Sequence, residues 1–321
     1  MCRNTEKSNI LMREKAASPR ALVYGSLNLD NVYTVDHIVA PGETLASTGF
    51  RQGASGKGLN QAIALAKAGA PTALAGRIGA DGQMLRDACT RYGVDAGQVL
   101  TVDEPTGNTI IQVDRKGQNC ILLFGGANRT QTEEQIDHTL AGYQAGDYLF
   151  LQNEVNLLPY LIERAHMRGM QIVLNPSPFE PSLLDAGLEK LSWLICNEVE
   201  GWQMTGAREP QDILDRLRTQ YPGVNMVLTL GEHGAMCLEG GTVYRQSCCP
   251  AETVDTTAAG DTFTGFFFAQ RMAGQGAAQA LAVAARAAAI TVSRPGAADS
   301  IPGMDEVIEV MTGEAIRWDM E

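Results

Sequence analysis

The segment of the chain with the clearest chemical potential is VDTTAAGDTFTGFFFAQ, residues 254–270. Phenylalanines at helical spacing follow Gly260 and Asp261, so this pair marks a helix N-terminus. The small residues Ala258, Ala259 and Gly260 would let a phosphate approach the unpaired backbone N–H groups there. Asp261 could take a proton from a hydroxyl aimed at that phosphate. A lone aspartate at a helix start is usually a cap, but the small-residue run and a second acid at Asp255 favour phosphoryl transfer.

A second cluster is the glycine-rich stretch GASGKGLNQA, residues 53–62. Its spacing matches neither a Walker A loop nor a dinucleotide fingerprint nor a nucleophile elbow. Gly56, Lys57 and Asn60 fall on one side of the first turn of a predicted helix over 58–69, where they could contact hydroxyl groups. Alone, the cluster would be interpreted as a glycine-rich turn with a solvated lysine and asparagine.

Three further polar clusters follow predicted strands. Asn28 and Asp30 come after the first strand, and Asp30 could accept two hydroxyl hydrogens, although N-L-D alone usually indicates a turn. Asn197 predicts a helix N-cap with Glu200 in the first turn, or a carboxylate near hydrated magnesium. The glycines of TLGEHGA, residues 229–235, could pass beneath a nucleotide or form a hairpin turn.

These clusters require a scaffold in which strands and helices alternate. Short apolar runs predict strands, amphipathic stretches predict helices at 58–69 and 82–92, and helical stretches separate the later strands. This alternation favours an α/β fold with a doubly wound, mostly parallel sheet, whose ligands lie beyond the C-terminal strand ends. The strands are predicted at these positions: 21–26, 45–53, 72–79, 148–152, 171–175, 193–196 and 226–230.

Two regions depart from this alternation and predict a small β-sheet lid. Residues 31–51 and 107–123 have the pattern of extended, partly exposed strands, with a hairpin around Arg115-Lys116-Gly117. The exposed edge of such a lid would suit a homodimer contact. We therefore predict a tail over residues 1–20 that is disordered, one domain over 21–312, and a C-terminal tail over 313–321.

Composition excludes several classes of protein. The formal net charge is −12, with 37 acidic and 25 basic residues, which disfavours nucleic acid as a partner. The sequence has no apolar run long enough for a membrane span, and its first 20 residues lack the apolar core of a secretory signal. Seven cysteines without a C-x-x-C pair and four scattered histidines predict no structural zinc site. We expect a cytoplasmic protein.

Together these segments resemble the ribokinase family of carbohydrate kinases, the PfkB type, over residues 21–312. DTTAAGDTFTGFF resembles the family's C-terminal signature, G-K-G-x-N-Q-A at 56–62 its N-terminal one, and PGET at 41–44 and GGAN at 125–128 are also similar. The resemblance implies an ATP-dependent sugar kinase with Asp261 as base, an anion hole from the amides of 258–261, and ribose as the best candidate. It implies sugar contacts from Asn28, Asp30, Gly56, Lys57, Asn60, Glu154 and Asp261. It implies ATP contacts from Asn197, Thr229, Gly231, Glu232, His233, Gly234 and Gly260.

The resemblance also implies two metal ions: Mg²⁺ bound with ATP near Glu200, through water, and an activating K⁺. The K⁺ site would comprise Asp255 and Thr257 together with the segment 291–300. In that segment Thr291, Arg294 and Gly296 would contribute backbone carbonyls, and Ser300 its hydroxyl. Two positions depart from the family pattern. Ser55 stands where a second glycine is usual, which narrows the approach to the sugar, and Ala285 stands where a larger polar side chain often meets the adenine.

Five alternative functions fit the sequence less well. A nucleoside kinase of this fold would need a roomy aromatic pocket, and a hexose or phosphosugar kinase extra basic residues. A deoxyribokinase is closer, but Asn28 and Asp30 suit a hydroxyl at C2, and deoxyribose, which lacks it, would leave these two side chains unpaired. A non-catalytic sugar sensor would not need Asp261. A Rossmann dehydrogenase would need a dinucleotide fingerprint, which is absent.

Overall fold

The computed structural model describes residues 18–318, and its centre is a nine-stranded sheet. The spatial order of its strands is β13-β12-β11-β10-β9-β8-β1-β4-β5. All neighbours from β5 to β11 are parallel, and only β12 and β13 run antiparallel at one edge. The strands of this sheet are β1 Ala21–Tyr24, β4 Thr72–Ile78, β5 Asp95–Thr101, β8 Tyr148–Gln152, β9 Gln171–Asn175, β10 Trp193–Asn197, β11 Asn225–Thr229, β12 Ala235–Glu239 and β13 Thr242–Gln246.

Helices cover both faces of this sheet. The central strands are buried on both sides, which explains why they appear in the sequence as short continuous apolar runs. One hydrophobic core lies on each face of the central strands, whereas β5, at the edge, is largely exposed. The α-helices are α1 Lys57–Lys67, α2 Gln83–Arg91, α3 Glu133–Leu140, α4 Leu158–Met167, α5 Glu198–Thr205, α6 Pro210–Gln220, α7 Ala259–Met272, α8 Ala277–Val292 and α9 Met304–Trp318.

Four strands form a separate small sheet. Its order is β3-β2-β6-β7, with β2 parallel to β6 and the outer pairs antiparallel. Both edge strands are largely exposed, and all six residues of β7 are exposed. The bounds are β2 Asn28–Thr34, β3 Gly49–Ser55, β6 Gly107–Val113 and β7 Asn119–Phe124.

The predicted fold class is confirmed, and two details of the prediction were wrong. Only the ends of segment 31–51 are strand, because Pro41 and Gly42 turn the chain, with Gly42 at φ +83°. The helical stretch between β9 and β10 consists of two 3₁₀ turns, Pro181–Asp185 and Leu188–Lys190, in a stretch that three prolines interrupt.

The predicted tail over 1–20 lies almost wholly outside the described residues. The domain boundaries stay predictions, and helix α9 continues through the boundary predicted at residue 312. Within residues 18–318, no helix combines the length and the apolar character that crossing a bilayer requires.

Candidate active site

The start of helix α7 forms the floor of the site. Ala258 caps it in the left-handed conformation, at φ +62°, and no side chain caps its first N–H groups. A non-glycine residue in this conformation is strained, as residues at functional sites often are. A Cβ placed on Gly260 would meet no atom within 4 Å, so this face of the turn is open. The open turn presents the positive end of the helix dipole, which suits an anion.

Asp261 lies in the first turn of α7 and is 8% exposed. Asn60 Nδ2 donates to its Oδ2 at 3.1 Å, and Gln61 Nε2 donates to its Oδ1 at 3.0 Å. Burial raises the pKa of the Asp261 carboxyl, although Lys57 and the two amides act against that rise. A raised pKa makes the carboxylate a stronger base, and the two bonds fix its orientation.

Close contact between two helices brings these groups together. A Cβ on Gly265 of α7 would lie 2.3 Å from the Cβ of Ala64 and 2.7 Å from the backbone nitrogen of Leu65 on α1. Only glycine at this position therefore lets α1 approach α7 so closely. As a result Asn60 and Gln61, on the first turns of α1, reach Asp261 across about 200 residues of sequence.

Lys57 begins α1 and lies among three carboxylates. Burial acts to lower the pKa of its ammonium group, but Asp261, Glu154 and Glu200 together hold that pKa above its usual value. The ammonium group is therefore protonated at neutral pH. A fixed positive charge between these acids could neutralise charge that moves across the site.

A cavity of about 470 Å³ lies between the end of β1 and the small sheet. Glu154, just after β8, lines it from the nine-stranded sheet, and Asn28, Leu123 and Phe124 line it from the small sheet. Ser26 Oγ donates to Glu154, and burial raises the pKa of the Glu154 carboxyl. Asn28 and Glu154 thus face a space of a size suited to a small polyol.

Asn28 lines this cavity, Asp30 follows it on β2, and Gly56 lies just before α1. Each of these three residues has a specific local contact. Asn128 Nδ2 donates to Asn28 Oδ1 at 2.8 Å, and Thr109 Oγ1 donates to Asp30 Oδ1 at 2.7 Å. Burial raises the pKa of the Asp30 carboxyl. Gly56, at φ +109°, lies where a Cβ would be 2.8 Å from the Ser26 carbonyl oxygen, so the turn requires glycine.

A second cavity, of about 240 Å³, adjoins the start of α7. Lys57 and Asp261 line it on one side, and Asn197, Glu200 and Thr229 on the other. Asn197 and Glu200 form a capping box: Asn197 Oδ1 accepts from the Glu200 N–H at 2.9 Å, and Glu200 Oε2 accepts from the Asn197 N–H at 3.0 Å. Glu200 thus caps the helix and also faces the cavity, so the helix cap and a carboxylate near hydrated magnesium are compatible roles.

The glycine turn after β11 lies outside the lining of this cavity. Gly231, Glu232 and His233 form an exposed 3₁₀ turn that leads to Gly234, at φ +92°. A Cβ on Gly234 would lie 2.0 Å from the Gln246 carbonyl oxygen, so glycine is required by the packing of β13. Contacts of these four residues with a nucleotide stay predictions.

The residues predicted to bind a cation lie in two segments, and hydrogen bonds to the Asp255 carboxylate connect these segments. Its Oδ1 accepts from the N–H and hydroxyl of Thr257, at 2.9 and 2.6 Å, and its Oδ2 accepts from the Gly296 N–H at 2.9 Å. These bonds outweigh burial and lower the pKa of the Asp255 carboxyl. We refer to residues 254–257 and 291–300 as the cation loops.

The side chains of the other predicted cation residues are largely engaged elsewhere. The Thr291 hydroxyl donates to the Ala287 carbonyl at 3.1 Å, and Arg294 is paired with Glu306 on α9. The Ser300 hydroxyl donates to the Ala297 carbonyl at 2.7 Å and keeps its lone pairs. The donors left for a cation are one carboxylate, backbone carbonyls and one hydroxyl, an all-oxygen set.

Sequence reasoning missed several residues of the site. Gln61 and Asn128 stand inside motifs quoted above, G-K-G-x-N-Q-A and GGAN, but neither was assigned a role. Gln152 has no local signal, since it is the last residue of β8 and donates to Gln61 Oε1 at 2.7 Å. Four further residues line the second cavity: Asn175, Ser177, Thr256 and Thr264.

The two departures from the family pattern are both buried. Ser55 is 7% exposed at the end of β3, where its side chain is hydrogen-bonded to Asp30. The serine therefore supports the acid that the sequence assigned to the sugar. Ala285 is 7% exposed on α8, and nothing among the described contacts connects it to the second cavity.

Comparison with known proteins agrees with this geometry. The family described as pfkB family carbohydrate kinase matches residues 18–304. A ribokinase from Haemophilus influenzae is 34% identical over 300 residues, covering 90% of this chain and 97% of its own. The crystal structure of a Cryptococcus neoformans ribokinase in complex with ADP superimposes with a TM-score of 0.77 at 34% identity, covering 91% of this chain and 99% of that one. The structure of an Arabidopsis thaliana ribokinase complexed with ribose and ATP superimposes with a TM-score of 0.80 at 28% identity, covering 91% of this chain and 98% of that one.

Proposed function

The chain belongs to the pfkB family of carbohydrate kinases, and from that membership we propose that it transfers the γ-phosphoryl group of ATP to the primary hydroxyl of D-ribose. The products would be D-ribose 5-phosphate and ADP. The observation that carries this proposal is Asp261, a buried carboxylate oriented by two amides beside an uncapped helix N-terminus. A base and an anion site at one point are what transfer to an alcohol requires.

The proposed reaction proceeds in line between the two cavities. Asp261 accepts the proton of the sugar's primary hydroxyl as that oxygen bonds to the γ-phosphorus, and the bond from phosphorus to the ADP oxygen breaks. The amides of residues 258–261 stabilise the charge on the transferred group, and Lys57 neutralises charge between sugar and nucleotide. Positioning and charge stabilisation thus supply most of the catalysis.

The two cavities offer space for the two substrates. The sugar would lie in the larger one, with its hydroxyls on Asn28, Asp30 and Glu154, and with Gly56, Lys57 and Asn60 beside the reacting end. The phosphates would lie in the smaller one against Asn197, Thr229 and Gly260, with Gly231, Glu232, His233 and Gly234 nearer the purine. Asp30 and Glu154 are partly buried, so a sugar that leaves either carboxylate without a hydrogen bond binds at a cost in free energy. This favours a fully hydroxylated pentose.

Magnesium would arrive with ATP, and Glu200 is the residue that would hold it through water. Among the described residues, no three Asp, Glu, His or Cys side chains gather into a site for a metal ion. A site built mainly on the nucleotide's phosphates suits Mg²⁺, which keeps several waters and needs few protein carboxylates. When bound, the ion supplies charge neutralisation on the phosphate oxygens.

Potassium would be held by the cation loops. One ionised carboxylate, Asp255, with carbonyls from Thr257, Thr291, Arg294 and Gly296 and the hydroxyl of Ser300, fits a large monovalent cation. The loop over 254–257 leads directly into Ala258, so a cation there would hold the anion hole in shape. We expect higher rates in KCl than in NaCl for the natural protein, and equal rates in the two salts for Asp255→Asn.

We also propose a homodimer formed through the small sheet. Register places Ile110 opposite Leu122, and Tyr33 opposite Phe50, on the sheet face turned away from the cavity. Phe50 and Leu122 are 57% and 67% exposed. An apolar face of this kind beside two exposed strand edges is typical of a protein interface. The cytoplasmic location expected from the sequence stays a prediction.

The experiment that tests the function is a coupled assay of ADP release over D-ribose, 2-deoxyribose, fructose, adenosine and pseudouridine, with ATP, Mg²⁺ and K⁺. We expect the highest kcat/KM for ribose, and at least a roughly tenfold lower value for 2-deoxyribose, which leaves Asn28 and Asp30 without their hydroxyl. Turnover of none of these acceptors, or a preference for 2-deoxyribose, would contradict the proposal.

A further inference from the structure

Arg51 lies on the inner face of the small sheet, the face that covers the sugar cavity. Strand register places it directly opposite Val32, two residues along β2 from Asp30, so Arg51 and Asp30 point to the same side. The residue opposite Asp30 is Gly53, which has no side chain, and a Cβ there would meet no atom within 4 Å. Gly53 therefore adds no side chain between the guanidinium and the Asp30 carboxylate along this face.

The same guanidinium also borders the cation loops. A Cβ on Gly296 would lie 3.9 Å from Arg51 Nη1, and the Gly296 N–H is the group that donates to Asp255 Oδ2 at 2.9 Å. Arg51 thus lies between the acid assigned to the sugar and the acid assigned to the cation. Its charge acts to lower the pKa of both carboxyl groups, opposing the effect of burial on each.

Neither acid holds Arg51. Among the residues whose side chains the structure describes, Arg51 forms no hydrogen bond, and no carboxylate lies within 4.0 Å of its nitrogens. Two other arginines are already paired: Arg115, in the turn between β6 and β7, with Asp36 at 2.6 Å, and Arg294 with Glu306. An exposed, uncommitted guanidinium between two carboxylates can shift towards either of them.

We propose that Arg51 is a positioning residue that couples the sugar site to the cation loops. The inference rests on the proposed function, because it needs a sugar at Asp30 and a cation at Asp255. A cation at Asp255 repels the guanidinium towards Asp30, where its charge favours the ionised carboxylate, the form that can accept two hydroxyl hydrogens. Potassium therefore strengthens sugar binding, and by reciprocity the sugar strengthens potassium binding.

The proposal predicts opposite effects of one substitution on two ligands. In Arg51→Gln the repulsion of the cation is lost, so potassium binds more tightly, while Asp30 loses its positive neighbour, so ribose binds more weakly. For one partly exposed charge we expect each change to be roughly twofold to fivefold. General damage to the fold would weaken both ligands, which makes the direction of the potassium change the decisive readout.

The experiment uses binding rather than turnover. Ribose affinity is measured by titration calorimetry without nucleotide, in KCl and in tetramethylammonium chloride at equal ionic strength. Potassium affinity is measured from the concentration dependence of the thermal unfolding midpoint. The variants are Arg51→Gln, Arg51→Lys, which keeps the charge, and Arg115→Gln as the matched control at the far end of the same sheet.

We expect the natural protein to bind ribose more tightly in KCl, Arg51→Gln to lose that difference, Arg51→Lys to recover part of it, and Arg115→Gln to behave as the natural protein. Arg51→Gln with unchanged ribose binding, or with both ligands weakened, would overturn the inference while leaving the proposed function standing. A natural protein that binds no ribose would contradict the proposed function and the inference together.

Discussion

Gln61 Nε2 lies 3.0 Å from Asp261 Oδ1, and the Gln61 side chain has no freedom to turn away from it. Its oxygen Oε1 already accepts a 2.7 Å hydrogen bond from Gln152 Nε2. Gln152 and Gln61 are 0% and 1% exposed, so water cannot replace either partner. The last residue of β8 thereby fixes the amide that fixes the proposed base.

Replacing this amide should change the pH dependence of the reaction. In Gln61→Met the carboxylate of Asp261 loses a hydrogen bond that favours its ionised form, so its pKa rises further. We expect the acidic limb of the kcat/KM profile to move to higher pH, and kcat at pH 7 to fall roughly tenfold. Gln83→Met, on the exposed start of α2, serves as the control. An unmoved acidic limb would show that Gln61 does not tune Asp261.

Gly107 should control sugar affinity through its lack of a side chain. A Cβ there would lie 2.2 Å from Asn128 Nδ2 and 2.4 Å from Asn28 Oδ1, and would separate the two amides. We expect Gly107→Ala to raise the KM for ribose roughly tenfold, the cost of one lost polar contact, with the KM for ATP unchanged. Gly223→Ala, where a Cβ would meet nothing within 4 Å, should alter neither value. Equal rises in both KM values would contradict the assignment of this cavity to the sugar.

The outward apolar face of the small sheet should determine the oligomeric state. Leu122 is 67% exposed on the face away from the cavity, and a charge there should prevent burial of that face in a dimer. By light scattering we expect the natural 34.4 kDa chain at twice its mass and Leu122→Glu at the single mass. Met167→Glu, at 66% exposure on α4, is the matched control and should stay dimeric. A natural protein that is monomeric throughout the concentration range would refute the proposed dimer.

The parts of the site that local sequence predicts are those built by a single turn of chain. The uncapped start of α7 follows from small residues before Asp261, and the capping box of Asn197 and Glu200 follows from their spacing. The contacts of Gln152 with Gln61 and of Asn128 with Asn28 join residues 91 and 100 positions apart. Such contacts depend on how helices and strands pack, which no local pattern encodes.

The fold shows the same division. Alternating apolar runs predicted the parallel sheet because its strands are buried on both faces, but the strand order and the antiparallel edge at β12 and β13 depend on tertiary packing. Arg51 illustrates the limit most clearly. In the sequence it is an ordinary charged residue of an exposed strand, and only the folded chain brings it between Asp30 and Gly296.

The most direct measurement is the rate of ADP release by Asp261→Asn with ribose, ATP, Mg²⁺ and K⁺, together with ribose and ATP affinities from calorimetry. Asparagine keeps the size of the side chain but cannot accept the hydroxyl proton, so we expect kcat to fall by roughly three orders of magnitude or more with both affinities within about threefold of the natural protein. A kcat that stays within about tenfold of the natural value, with binding intact, would contradict the role of Asp261 as the base.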